Sequence, residues 1–265
     1  MKVLQKIPRL LPLFLLLSFM TGCFTVPETG RRGFSVVPVS QEVAMGENAF
    51  AQIKKQETIS PNREQTEMLQ RVGDRIARVA ESDMPEAVWE FVLFENDAVN
   101  AFALPGGRIG FYTGMLEIAD TEEYVAVVMG HEIAHVTARH GAERLSQALA
   151  IMAVGIGVQQ AVKDRSEEVQ LAVLLAYGAG TTLGVALPHS RRNEREADEI
   201  GLYYMARAGY DPRAAPRFWE RMEAQAGGGS IPEFLSTHPS HGSRVQNLER
   251  AMSRALEYYR ESGGE

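Results

Sequence analysis

The stretch "VVMGHEIAHVTARH", residues 127–140, carries three of the six histidines of this 265-residue chain, two of them four apart with a glutamate between. On an α-helix, positions i and i+4 share a face with their side chains roughly 6 Å apart, so His131 and His135 can turn a ring nitrogen toward one ion. Glu132 projects to the side, where it reaches a water bound to that ion and not the ion itself. Val127, Val128, Ile133 and small Ala134 fit a buried helix, where two histidines and a carboxylate are costly unless they bind something. The spacing is that of a zinc hydrolase.

Catalytic zinc takes three protein ligands and leaves one position for water. Cys23 is the only cysteine, so thiolates cannot complete the set, and the candidates are His140, His189, His238, His241 or a carboxylate. "RRNEREADEIG" (191–201) supplies Glu194 and Asp198, four apart on one face of a predicted helix. His140 lies five residues past His135, about 140° round a continuous helix, and is expected to point away. His189 and His241 read as structural.

Outward from this helix, Asp120 and Glu123 form a capping box that starts it, and the period carries it to about Ala148. Upstream, "VWEFVLFEND" (88–97) and "AVNAFALPGGRIGFYTGML" (98–116) predict a small sheet with a turn at Pro105, Gly106 and Gly107. Two helices precede it, one from Ser40 to about Lys55 and one opened by Ser60–Pro61, with Leu69, Val72, Ile76 and Val79 on one face. Residues 146–162 and 169–188 are uncharged stretches separated by "KDRSEE". Gly, Gln and Thr dilute both, and the second barely reaches the ~20 residues that a span needs, so a buried helical hairpin is expected rather than a transmembrane pair. Three more helices follow Pro188, ending at Gly209, near Gly227 and near the C-terminus.

Length and composition allow one well-cored domain. A net charge of −7 and a pI near 5.5 leave no basic footprint, so no nucleic acid partner is expected. At the N-terminus, Lys2, Lys6 and Arg9 precede an apolar run from Leu10 to Met20, which reads as a signal peptide over residues 1–22. "MTGC" (20–23) resembles a bacterial lipobox, which would make Cys23 the lipidated first residue of the mature protein and tie it to a membrane. Phe24 follows where a sorting Asp would stand, which implies the outer membrane, facing the periplasm. "FTVPETGRRGFSVVPV" (24–39) has no helical period, so residues 23–39 read as a lipidated tether and residues 40–265 as the domain.

HEIAH (131–135) followed by NEREAD (193–198), with NAFALPGGRIGFYTGML upstream and STHPSHGSR (236–244) downstream, resembles the gluzincin metallopeptidases. More specifically, it is similar to the family that holds the heat-shock protease HtpX, the CAAX prenyl endopeptidase, the mitochondrial protease Oma1 and the β-barrel assembly-enhancing protease, with the expectation of a lipoprotein branch without a tetratricopeptide half. The resemblance covers most of residues 40–250. It implies a zincin-like, mostly helical α+β domain with a small sheet beside the active-site helix. It also implies one zinc ion held by His131, His135 and Glu194, with Glu132 as general base and acid, and with Asp198 then free to accept the N–H of a ligating histidine, His131, and fix its tautomer. His238 and Arg244 would be donors to the oxyanion; alternatively His238 binds the zinc at rest and closes the water position.

Val99–Leu104 is expected to be an edge strand, lined with Asn100 and Ala101, that pairs with an extended peptide; an internal strand is the alternative. The expected function is that of a lipid-anchored zinc endopeptidase of the cell envelope that cuts unfolded or misfolded polypeptides. The competing class is a non-catalytic chaperone or assembly lipoprotein with a structural zinc.

Overall fold

A computed structural model describes residues 22–226, 232–238 and 244–264. The signal-like residues through Thr21, and His241, lie outside them. Strands β1 (Cys23–Thr25) and β2 (Arg32–Phe34) form an antiparallel ribbon. This is the segment expected to be a tether, and instead of running free it is folded, with Val26 in the main core. Two helices follow. Helix α1 spans Val39–Gln56; α2 spans Arg63–Ala80, is capped by Asn62, whose side chain accepts from the Gln65 amide, and buries Leu69, Val72 and Ile76.

Strands β3 (Glu90–Phe94), β4 (Ala101–Leu104) and β5 (Arg108–Tyr112) form the small sheet in the order β3-β5-β4, with β3 parallel and β4 antiparallel to β5. Gly106 and Gly107 turn the chain between β4 and β5 at φ of +80° and +87°, a region that favours glycine. Strand β4 is therefore at an edge, as the peptide-binding expectation requires.

After the short α3 (Thr113–Leu116) comes α4 (Glu122–Thr137), whose N-cap is Thr121, the hydroxyl accepting from the Tyr124 amide. Every residue from Val125 to Thr137 is buried, so this helix is the axis of the molecule. It does not continue to Ala148. Arg139 takes a left-handed conformation (φ 54°) and a second helix, α5 (His140–Val162), starts on a new axis. The Arg139 guanidinium steadies the turn: it pairs with Glu42, donates to the Val37 carbonyl and lies over the Phe24 ring.

Helix α6 (Glu167–Thr181) runs through a π turn (Thr182–Ala186) into α7 (Leu187–Arg207), followed by α8 (Ala214–Ala226), α9 (Glu233–Thr237) and α10 (Arg244–Glu261). The hairpin of α5 and α6 corrects the expectation of burial. Leu149, Met152, Val154, Ile156, Val169, Leu171, Leu174 and Leu175 are all exposed, and α6 has no buried residue. By length and composition alone, α5 and the helical run from Glu167 to Arg207 are each sufficient to cross a membrane. An uncharged stretch with apolar residues all round announces only that it avoids water, not what covers it.

Helices α4 and α7 meet backbone to backbone at Gly130 and Gly201: a Cβ on Gly201 would sit 2.7 Å from the Gly130 carbonyl carbon. Gly201→Ala is expected to lower stability by about 1–3 kcal/mol through overpacking. Gly157→Ala, where an added Cβ meets nothing within 4 Å, should be neutral or stabilising. Thermal unfolding of both variants beside the wild type is the check, and equal effects would remove the close contact as the cause.

Candidate metal centre

Three separate parts of the chain deliver the site. Helix α4 brings His131, Glu132 and His135; α7 brings Glu194 and Asp198; His238 ends α9. His131, His135, Glu194 and His238 are all buried, and one donor atom from each lies within 4.8 Å of all the others. The His131 and His135 Nε2 atoms are 3.1 Å apart. Glu194 carboxylate oxygens lie 3.2 Å from His131 Nε2 and 3.5 Å from His135 Nε2, and His238 Nδ1 lies 3.0 Å from Glu194 and 3.2 Å from His131.

A tetrahedral ion ~2.0–2.1 Å from each donor would set neighbouring donors roughly 3.3 Å apart, which these separations match. The tautomers agree. His131 Nδ1 lies 2.9 Å from Asp198 Oδ1, which can only accept, so the His131 proton sits on Nδ1 and the Nε2 lone pair faces inward. Two inward lone pairs at such a distance repel each other unless a proton or a cation lies between them. Burial opposes charge on His131, but hydrogen bonds to Asp198 and Glu194 outweigh it and push its pKa up to about 9. At His135 burial prevails and the pKa falls well below 6.5. Glu194 would be raised by burial, yet the surrounding histidines hold it well below the usual carboxylate range. The residues fit a single zinc ion.

Glu132 stands beside this cluster, with one carboxylate oxygen buried and without a hydrogen-bond partner, 3.6 Å from His238 Nε2. The cluster opens on a cleft of about 150 Å³ lined by Asn100, Ala101, Phe102, Glu132, His135 and His238, together with Arg144, which the sequence reading did not single out. Edge strand β4 forms one wall, and Asn100 is fixed there by donating to Glu233.

Arg244 approaches the cluster from the Asp198 side. Its Nη2 donates to Asp198 Oδ1 at 2.6 Å, its Nε is 2.6 Å from Oδ2, and its plane lies 3.4 Å over the Trp219 ring. The guanidinium thus clamps Asp198 behind His131, and the same Nη2 lies 3.3 and 3.5 Å from the two His131 ring nitrogens and 3.9 Å from a Glu194 oxygen, at the margin of the donor cluster.

His140 stays outside the four-donor cluster, as expected, yet it contacts a ligand ring. The break at Arg139 turns it back, so that its Nδ1 lies 2.9 Å from His135 Nδ1, on the side of that ring away from the metal cluster. A continuous-helix projection misses this, and a non-glycine residue in the left-handed region leaves no clear mark in sequence. His189 is half-buried on α7 and accepts from Arg192.

The sequence profile of peptidase family M48 matches residues 63–252. The chain is 34% identical over 241 residues to "Mitochondrial metalloendopeptidase OMA1" of Schizosaccharomyces pombe, covering 89% of this chain and 68% of that protein. It is 38% identical over 193 residues to the protein of the same name from Arabidopsis thaliana, covering 72% and 38%. To "Beta-barrel assembly-enhancing protease" of Escherichia coli K12 it is 32% identical over 232 residues, covering 86% and 47%. The chain spans about two thirds of the first of these proteins and less than half of the other two.

Asp198→Asn keeps an acceptor for His131 but removes the charge held by Arg244. The zinc dissociation constant is expected to rise about 10- to 100-fold, read by competition with a chromophoric chelator. An unchanged constant would show that His131 needs no anionic support.

Proposed function

This chain belongs to peptidase family M48, whose members are zinc-dependent metallopeptidases, and from that premise we propose that it is an endopeptidase of unfolded or misfolded polypeptides, lipid-anchored at Cys23 in a bacterial envelope. The observation that carries the catalytic reading is the partnerless Glu132 oxygen beside four converging donors. A structural zinc site has no use for a fifth group of this kind, and a buried carboxylate oxygen left without a hydrogen bond, with only His238 Nε2 3.6 Å away, is a cost that packing alone does not explain.

Zinc held by His131, His135 and Glu194 would lower the pKa of water toward about 7 and polarise the substrate carbonyl. Glu132 accepts the proton of the attacking water and passes it to the leaving amine. Asp198, itself clamped by Arg244, holds the His131 ring in one orientation through Nδ1. Edge strand β4 receives an extended segment by main-chain pairing, which gives affinity with little sequence preference and suits unfolded chains. Asn100 and Ala101 lie against that segment.

For His238, the proximity of Nδ1 to Glu194 and His131 favours the resting-ligand reading: it takes a fourth position that substrate must displace. A four-donor site also suits the competing reading, a chaperone-like lipoprotein with a closed structural zinc, and one assay separates them. With casein as unfolded substrate, Glu132→Gln should retain one zinc and lose cleavage by at least about a hundredfold, while His238→Ala should cleave at least as fast as wild type. Cleavage by neither wild type nor His238→Ala would favour the structural zinc, and loss of activity in His238→Ala alone would make His238 a catalytic donor.

The outer-membrane, periplasm-facing location rests on the lipobox-like sequence ending at the exposed Cys23, and the apolar hairpin adds a second membrane-directed surface. The Cys23→Ser protein is therefore expected to remain with lipid vesicles in flotation, and adding Leu171→Lys and Leu175→Lys to release it. Release by Cys23→Ser alone would leave the acyl chain as the sole anchor.

A further inference from the structure

Behind His135, away from the cleft, lies a buried polar chain that the hydrolytic reading does not use. His135 Nδ1 is 2.9 Å from His140 Nδ1, and His140 Nε2 is 3.0 Å from Glu196 Oε2. Glu196 also accepts from the Thr29 hydroxyl at 2.7 Å and from Arg31 Nε at 2.8 Å. The other two nitrogens of Arg31 donate to Glu143, each at 2.8 Å. His140, Glu196 and Glu143 are buried, and Thr29 and Arg31 stand on the turn between β1 and β2.

The proton positions along this chain are determined. Only one of two facing Nδ1 atoms can carry a hydrogen. If His135 offers the Nε2 lone pair to zinc, its proton is on Nδ1 and His140 Nδ1 must accept it. The His140 proton is then on Nε2, aimed at Glu196, which as a carboxylate can only accept. Arg31, which can only donate, closes the series. Every donor meets an acceptor in one direction, from ribbon and ligand alike toward Glu196. The usual arrangement backs a ligating histidine directly with a carboxylate, as Asp198 backs His131; here a second histidine stands between.

We propose that His140 and Glu196 are positioning residues of the zinc centre, acting through His135, and that Arg31 and Thr29 lock them, so that the N-terminal ribbon is a working part of the metal site. The inference rests on the reading of His135 as a zinc ligand. Arg139 explains why the chain exists: its left-handed turn sends α5 off on a new axis and returns His140 to the back of the His135 ring. The consequence is that the segment following Cys23 both leads toward the membrane and holds a ligand in place.

The test uses the full-length chain in detergent and measures the zinc dissociation constant by chelator competition, with the thermal midpoint of the metal-free protein measured in parallel. His140→Leu, Glu196→Gln and Arg31→Ala are expected to weaken zinc binding about 10- to 100-fold. His140→Gln should stay close to wild type, because its amide can accept from His135 with the oxygen and donate to Glu196 with the nitrogen. The visible spectrum of the cobalt-substituted proteins should change in His140→Leu and be restored in His140→Gln. If the network only staples the ribbon to α5 and α7, the metal-free midpoints fall while zinc affinity and cobalt spectrum stay at wild-type values, and the proposal is overturned. Arg31→Lys, which keeps the charge but loses the fork, gives a second reading should Arg31→Ala fail to fold: wild-type affinity in it counts against the proposal, and weakened affinity supports it. Failure of the wild-type chain to bind zinc at all would instead remove the zinc reading on which this one stands.

Discussion

The close approach of α4 and α7 at Gly130 and Gly201 is the constraint on which the rest of the structure depends. Neither residue has room for a Cβ. Helical periodicity turns that one contact into a metal site: His131 is the next residue after Gly130, and Glu194, Asp198 and Gly201 recur at i, i+4 and i+7 on the facing side of α7. With the backbones in contact at the glycines, Asp198 reaches His131 Nδ1 at 2.9 Å while Glu194 reaches both Nε2 atoms from one turn further on. Side chains at the crossing would separate the axes and lengthen all of these distances together. Close packing at the crossing and ligand geometry are the same structural fact.

A second constraint is the amount of charge carried in a dry interior. Glu42, Glu143, Glu194, Glu196, Asp198 and Arg244 are all buried, a combination tolerated only when each has a partner. Arg139 answers Glu42, Arg31 answers Glu143 and Glu196, Arg244 answers Asp198, and the histidines answer Glu194. Against that background the unpartnered oxygen of Glu132 stands apart. That oxygen lies at the cleft wall, 3.6 Å from His238 Nε2 and without a hydrogen bond, as the proposed general base requires.

Much of this was legible in the sequence where the physics is local. The His131–His135 pair, the Glu194–Asp198 face and the glycine turn between β4 and β5 all follow from period, spacing and backbone freedom, whereas the edge position of β4 comes from the strand order. What was missed depends on contacts distant in the chain. The break at Arg139 is stabilised by Glu42, the Val37 carbonyl and Phe24, about a hundred residues upstream, so no window around His140 could show it. The uncharged stretches from Ser146 to Pro188 were read as buried because hydropathy records aversion to water and not the identity of the cover. The tether reading of residues 24–39 failed for a related reason: two three-residue strands have too little period to register, and their fixation comes from Glu196 and Glu143.

These last two elements meet. Ser146, at the root of α5, accepts from the Val36 amide at 3.0 Å and donates to Ser35 at 3.3 Å, so the ribbon that begins at Cys23 is fastened to the base of the apolar hairpin. The cleft shares that base: Arg144 lines it, and Leu149, the first exposed large apolar side chain of the hairpin, lies five positions on, about 7.5 Å along the helix axis. Under the proposed anchoring, acyl chain and hairpin would enter the bilayer from one side of the molecule and hold the cleft within roughly a helix turn and a half of the apolar surface. An unfolded segment emerging at the membrane would then meet β4 without having to cross open solvent. A short ribbon suffices for this arrangement, because the part of it nearest the zinc is held by Glu196 and only its first residues are needed to reach the lipid.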